Sequence, residues 1–120
     1  EILYSVHQEL LIKFKALIPM MPYVRNIGRV FISTAPLMSA YGSYVENSKH
    51  AMRTLVRLRE TVPKFNTFLN ENRHDFRLDE MITFPLNRMA QYQTHLEMIL
   101  KLTPKNHPDY SELSKAGTMM

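Results

Sequence analysis

The sequence predicts an all-α fold, an elongated bundle of helices, and three observations carry that expectation. Apolar residues recur at three- and four-residue spacing along most of the 120 residues, which gives each segment one face for a core. No segment alternates apolar and polar residues strictly enough for a strand, and only three glycines are present. The breaks in the pattern fall at prolines and short polar stretches, where helices end and begin.

The first helix is expected from Ile2 to Leu17, with Leu3, Val6, Leu10, Leu11, Phe14 and Leu17 on one face. Ile18-Pro19-Met20-Met21-Pro22 breaks it. A second, longer helix is expected from Tyr23 to Asn47, with Ile27, Val30, Phe31, Leu37, Met38, Tyr41, Tyr44 and Val45 inward. Pro36 lies inside that pattern and should kink or split it. Asn47-Ser48 offers a cap for a third helix from Lys49 to Glu60, carrying Met52, Leu55, Val56 and Leu58. After Pro63, a short helix over Lys64–Asn70 carries Phe65, Phe68 and Leu69, and 70–75 reads as a polar loop. A lead-in from Asp79 precedes a long helix opened by Pro85, whose missing N–H would have no partner in a first turn. Its spacing puts Leu86, Met89, Tyr92, Leu96, Ile99, Leu100 and Thr103 on one face, and it is expected to be the most buried long element. Pro104 stops it and a last helix begins near Pro108.

A chain of this length suits one domain, and 45% apolar with 22% charged residues is an ordinary globular balance. There is no cysteine, hence no disulfide framework, thiolate metal site or cysteine nucleophile. No apolar run reaches the roughly 20 residues that span a bilayer. The start, Glu1 to Leu11, lacks a signal-peptide pattern, opens in mid-helix and reads as a cut from a longer protein. The nine methionines read as bundle core rather than an adaptable groove. The net charge is +4. Lys49, Arg53 and Arg57 form one basic stripe, which reads as a solvated face, because it lacks the interleaved aromatics of a nucleic-acid platform.

The sequence offers no active site. It holds no GxSxG, Walker loop or GxGxxG, and its carboxylates are scattered. No pair among His7, His50, His74, His95 and His107 has metal-ligand spacing beside an acid, so neither metal nor other cofactor is expected.

The run Thr83-Phe84-Pro85-Leu86-Asn87-Arg88-Met89-Ala90-Gln91-Tyr92-Gln93-Thr94-His95-Leu96 resembles the third conserved region of Dbl homology (DH) domains, the exchange modules of Rho-family guanine nucleotide exchange factors. Pro85, Arg88, Tyr92, Leu96, Thr103-Pro104 and His107-Pro108-Asp109-Tyr110 follow that family's pattern. Ile27-Gly28-Arg29-Val30-Phe31 is similar to its Ile-Gly-x-Val-Phe, and Tyr41, Tyr44, Asn47 and Ala51 are similar to its Tyr-x-x-Tyr-x-x-Asn and following alanine. The matches run in order along nearly the whole chain. They imply one DH-like domain over 1–120, truncated at both ends: the family's first conserved region, with its switch-contacting glutamate, and most of its last helix would lie outside.

The resemblance implies a guanine nucleotide exchange factor that makes and breaks no covalent bond. Its partner would be a small GTPase of Rho, Rac or Cdc42 type, bound through one flank of the Pro85 helix: Ala90, Gln93, Glu97 and Lys101. Pro85, Arg88, Tyr92 and Leu96 would be structural supports, with Arg88 and Tyr92 packed together. Glu97 stands where the family has a lysine, and Glu97 and Lys101 are spaced to pair. A cytoplasmic setting is implied, with recruitment to membrane through a neighbouring domain. Two other readings compete: a degenerate exchange domain serving as a scaffold, for which Glu97 speaks, and a helical adaptor that binds acidic surfaces through Lys49, Arg53 and Arg57.

Overall fold

The computed structural model of the chain describes residues 1–72 and 77–119, with Leu37 described by its backbone alone. The described residues form six α-helices and two 3₁₀ turns, with no strand among them. The helices are α1 (Ile2–Leu17), α2 (Ile27–Thr34), α3 (Ala40–Thr61), α4 (Pro63–Glu71), α5 (Leu78–Leu102) and α6 (Tyr110–Met119). The all-α expectation holds, and α1 has the expected limits. Among the described residues no helix is long and apolar enough to cross a membrane.

The chain resolves into two compact units, one of Glu1–Tyr41 with the chain from Met89 onward, the other of Gly42–Arg88. The first unit holds the larger core. Val6, Leu10 and Leu17 of α1 pack with Val30 and Phe31 of α2, Tyr92 and Leu96 of α5, and Leu113 and Ala116 of α6. Leu96 is 1% exposed, so its burial alone contributes about 1.5–3 kcal/mol. An aromatic chain runs through this core: Phe14 meets Phe31 edge-on at 5.1 Å between ring centres, and Phe31 meets Tyr92 at 5.9 Å.

Two of the sequence motifs meet in this unit. Asp109 is 1% exposed, and its two carboxylate oxygens accept the Gly28 N–H at 3.2 and 3.1 Å. A carboxylate is favoured there because Gly28 lies in the first turn of α2, at the positive end of the helix dipole. Asn26, the residue ahead of α2, makes no side-chain cap, so the cap comes from Asp109. The Asp109 carbonyl in turn accepts the Leu113 N–H at 2.9 Å and starts α6. A Cβ on residue 28 would lie 2.4 Å from the Leu113 nitrogen and 2.5 Å from the Glu112 carbonyl carbon. Only glycine allows α2 and α6 to approach this closely.

The second unit holds the rest of α3, all of α4 and the start of α5. Among its described residues Leu55 is the buried apolar one, and Ser48, about two turns earlier on the same helix, is buried as well. Arg77 opens α5: its N–H donates to Glu80 Oε2 at 2.8 Å, and its carbonyl accepts the Met81 N–H. Arg77 also binds Asp79 at 2.6 Å, with Arg59 at 3.9 Å. Burial acts to raise the Asp79 pKa, but the Arg77 hydrogen bond, the backbone and the two guanidinium charges outweigh it and hold the carboxyl below its ordinary value.

Several expectations need correction. The second and third helices do not divide at Asn47-Ser48. The division falls at Pro36, in a 3₁₀ turn over Ala35–Ser39, and α3 runs unbroken through 47 and 48. Ser48 does not cap a helix: its hydroxyl donates back to the Val45 carbonyl at 2.8 Å inside α3. Helix α2 starts at Ile27 rather than Tyr23, because 23–26 are needed to bring the chain round from the break. Pro85 does not open a helix; it lies inside α5, which starts seven residues earlier at Leu78. Its ring removes one backbone donor, and the Tyr44 hydroxyl supplies a donor to this turn, reaching the Ile82 carbonyl at 2.8 Å.

Buried positions also differ from expectation. Of the 25 residues of α5 only Tyr92 and Leu96 are buried, whereas the 8 residues of α2 bury Gly28, Val30, Phe31 and Thr34. Leu11, Val45, Val56 and Phe68 are exposed. Met20, Met21, Met81, Met98 and Met119 are exposed rather than core, while Met38 is buried. The expected loop over 70–75 begins inside α4, which ends at Glu71, and 73–75 lie outside the described residues. The same is true of the side chain of Leu37, of His74 and of Met120.

Candidate functional site

The part of α5 that follows Met89 has two sides. Tyr92 and Leu96 are buried, and Met89, Ile99 and Leu100 are half-buried against the same core. The opposite side carries Ala90, Gln93, Glu97 and Lys101, all exposed. These positions are three and four apart, so they form one line along a helix. Thr94 lies beside that line and returns its hydroxyl to the Ala90 carbonyl at 3.0 Å.

Within the line, Gln93 Nε2 donates to Glu97 Oε1 at 3.3 Å. The expected Glu97–Lys101 pair does not form, whereas Glu9 and Lys13 pair at the same spacing in α1. Gln93, one turn before Glu97, holds its carboxylate, and an exposed pair would add little. Lys101 is therefore a cation near the end of α5 without an acid of its own helix, while Glu97 presents a negative charge in mid-stripe.

Of the four supports named from the sequence, Tyr92 and Leu96 are core residues, Pro85 is half-buried and Arg88 is exposed. Tyr92 is held by more than packing. Its hydroxyl is hydrogen-bonded to His7 Nδ1 at 2.9 Å, and His7 Nε2 is hydrogen-bonded to the Tyr41 hydroxyl. His7 was not distinguished among the histidines by sequence; its i, i+3 spacing from Leu10 and its place beside Val6 were the signal that it faces the core.

A second feature was missed. An apolar groove of about 550 Å³ lies between α1, α2 and α5, lined by Leu11, Phe14, Ile18, Met21, Met98 and Ile99. Met98 is 57% exposed at its edge, and Leu102 beyond it is 77% exposed. A long helix with polar residues along its outward line and apolar residues on an adjoining edge is suited to protein contact. Among the described residues no three histidine or carboxylate side chains come together to hold a metal.

The basic stripe lies on the exposed side of α3: Lys49, Arg53 and Arg57 are all exposed. Lys49 and Arg53 border a shallow cleft in the second unit, with Met52 and Leu86 as its apolar wall.

An all-helical module with a long helix that is polar along its exposed side is the class that fold and surface define. The model of the RhoGEF domain matches residues 1–120, and the chain belongs to that family. Among characterised relatives, "Guanine exchange factor for Rac 30" of Dictyostelium discoideum is 34% identical over 94 residues, 77% of this chain and 6% of that protein. The human "Neuroepithelial cell-transforming gene 1 protein" is 33% identical over 98 residues, 78% of this chain and 16% of that protein. The mouse "Rho guanine nucleotide exchange factor 39" is 25% identical over 114 residues, 89% of this chain and 33% of that protein. The chain thus spans a minor part of the length of these relatives. No solved structure gives a significant match.

Proposed function

We propose that this chain promotes GDP release from a Rho-family small GTPase by stabilising the nucleotide-free state, and that α5 is its contact surface. The observation that carries the proposal is the separation of the two sides of α5. Ala90, Gln93, Glu97 and Lys101 are exposed in one line while Tyr92 and Leu96 anchor the opposite side. A rigid helix can press on the mobile switch segments of a GTPase and disturb its magnesium and phosphate contacts. Such a surface accelerates release only if it binds the nucleotide-free GTPase better than the nucleotide-bound one. No bond is made or broken, so no nucleophile, general base or cofactor is required of the exchange module.

The partner is of Rho, Rac or Cdc42 type and the setting cytoplasmic, with membrane recruitment left to a neighbouring domain. The relatives support the Rho and Rac types alone, since their names include both Rho and Rac exchange factors; the Cdc42 type, the setting and the recruitment follow from the family resemblance. A second reading, a degenerate exchange domain that acts as a scaffold, is favoured by one observation: Glu97 places an acid in the middle of the stripe.

Release of a fluorescent GDP analogue from a panel of Rho, Rac and Cdc42-type GTPases separates the two. The proposal expects release above the intrinsic rate on at least one of them. Binding without acceleration on any would favour the scaffold.

A further inference from the structure

We propose that His7 is a positioning residue for the partner face of α5, acting through Tyr92; this rests on the exchange function proposed above. The imidazole lies between two tyrosine hydroxyls that come from different helices, Tyr41 at the start of α3 and Tyr92 in α5. His7 itself belongs to α1, so one side chain ties three helices of the first unit together. The rings are in contact as well, with centres 5.9 Å apart for Tyr41 and 5.7 Å for Tyr92.

Apolar packing is non-directional, so Leu96 and the Phe31–Tyr92 contact hold α5 against the core without fixing its rotation closely. A hydrogen bond is directional. The bond from His7 to the Tyr92 hydroxyl sets the angle at which α5 turns its other side to solvent. On a helix about 10–12 Å across, a rotation of about 10° moves the outer surface by about 1 Å. Misplacement on that scale is costly wherever function depends on geometry. Tyr92 lies between Ala90 and Gln93 in the chain, so the stripe is oriented from within its first turn.

The neutral imidazole suits this place because it offers one donor and one acceptor, and each hydroxyl can take either role. Glutamine offers the same pair and leucine neither. The experiment compares wild type, His7→Gln and His7→Leu in two measurements. One is affinity for a nucleotide-free GTPase of the responsive type and for its GDP-bound form. The other is the set of backbone amide chemical shifts.

His7→Leu is expected to weaken nucleotide-free binding about tenfold, the scale of one or two lost hydrogen bonds. GDP-bound affinity should stay as in wild type, and shifts should concentrate at residues 90–101. His7→Gln should recover most of the affinity. A merely structural role would move α2 and α6 amides as much as those of α5 and lower both affinities together, and that result would overturn the proposal. So would a folded His7→Leu with wild-type affinity. If His7→Leu does not fold, Tyr92→Phe deletes a single hydroxyl and carries the same expectations, and its wild-type behaviour would overturn the proposal. If wild type accelerates release on no GTPase, the exchange reading falls by itself. The amide shifts of α5 then decide whether His7 orients that helix.

Discussion

Gly28→Ala is the substitution for which the structure gives the sharpest expectation. The new Cβ would meet backbone atoms of α6, 2.4 Å from the Leu113 nitrogen and 2.5 Å from the Glu112 carbonyl carbon, and backbone cannot swing aside. Restoring ordinary contact needs α2 and α6 to part by roughly 1 Å, and such overpacking costs about 1–3 kcal/mol. The same movement stretches the Gly28 N–H away from Asp109, a bond now at 3.1–3.2 Å. Hydrogen bonds to charged groups contribute about 1.5–3 kcal/mol, and the Asp109 carboxylate is fully buried. Alanine's better helix propensity returns about 1 kcal/mol. The net loss should therefore be about 2–4 kcal/mol in urea unfolding of the chain, shared between the close approach and the stretched hydrogen bond. The internal controls are Gly42 in α3 and Gly117 in α6, where an added Cβ meets nothing within 4 Å. Alanine at either should stabilise by about 0.5–1 kcal/mol. If Gly28→Ala behaved like these controls, the packing of α2 on α6 described here would be wrong.

Other substitutions test separate parts of the account. Leu96→Ala should cost about 2–5 kcal/mol as a buried leucine truncation, whereas Met98→Ala should stay within about 0.5 kcal/mol of wild type as a surface change; equal losses in denaturant titration would show that α5 is turned differently. Asp79→Asn should lower stability at neutral pH and not in strong acid. The folded carboxyl has a depressed pKa, so its contribution is present above the ordinary value near 3.8 and disappears as pH falls through the folded value; a difference in melting temperature that does not shrink as pH falls below the ordinary value would refute this. Glu97→Lys should raise exchange, roughly fivefold at low salt, on at least one GTPase, because it puts a cation at the position where the family resemblance implies a lysine. A fully active wild type that loses activity on this change would mean the position faces a basic surface. Alanine at Lys49, Arg53 and Arg57 together should leave nucleic-acid binding negligible as before; tight binding that falls steeply with salt and vanishes in the triple variant would restore the acidic-surface adaptor.

The helices were legible where periodicity and punctuation agree, as in α1, whose limits follow from Ile2 to Leu17 alone. Local signals failed where a tertiary partner changes their meaning. Pro85 carries the mark of a helix start, yet α5 continues through it, and a hydroxyl from α3, Tyr44, serves the adjoining turn. Asn47-Ser48 has cap chemistry, but inside α3 the Ser48 hydroxyl bonds back to its own helix. Pro36, expected to kink or split its helix, splits it, in the 3₁₀ turn Ala35–Ser39. The stripe from Ala90 to Lys101 was legible as the side opposite Tyr92 and Leu96, a matter of angle round one helix. The His7–Tyr41–Tyr92 network and the Gly28–Asp109 cap were not. Each joins residues more than thirty positions apart, and one chain read alone shows their types and not their meeting. Met98, expected in the core with the other methionines, is exposed for a related reason, since apolar character does not reveal which side of α5 the core covers.

The central claim is that α5 presents a surface that prefers a GTPase emptied of nucleotide. The direct measurement is the affinity of the chain for one Rho-family GTPase, nucleotide-free and GDP-bound, by titration in the same buffer. The account predicts tighter binding to the nucleotide-free form, with the preference reduced by charge or bulk introduced at Ala90 and Lys101. Equal affinity for the two forms, or a preference untouched by those changes, would contradict it.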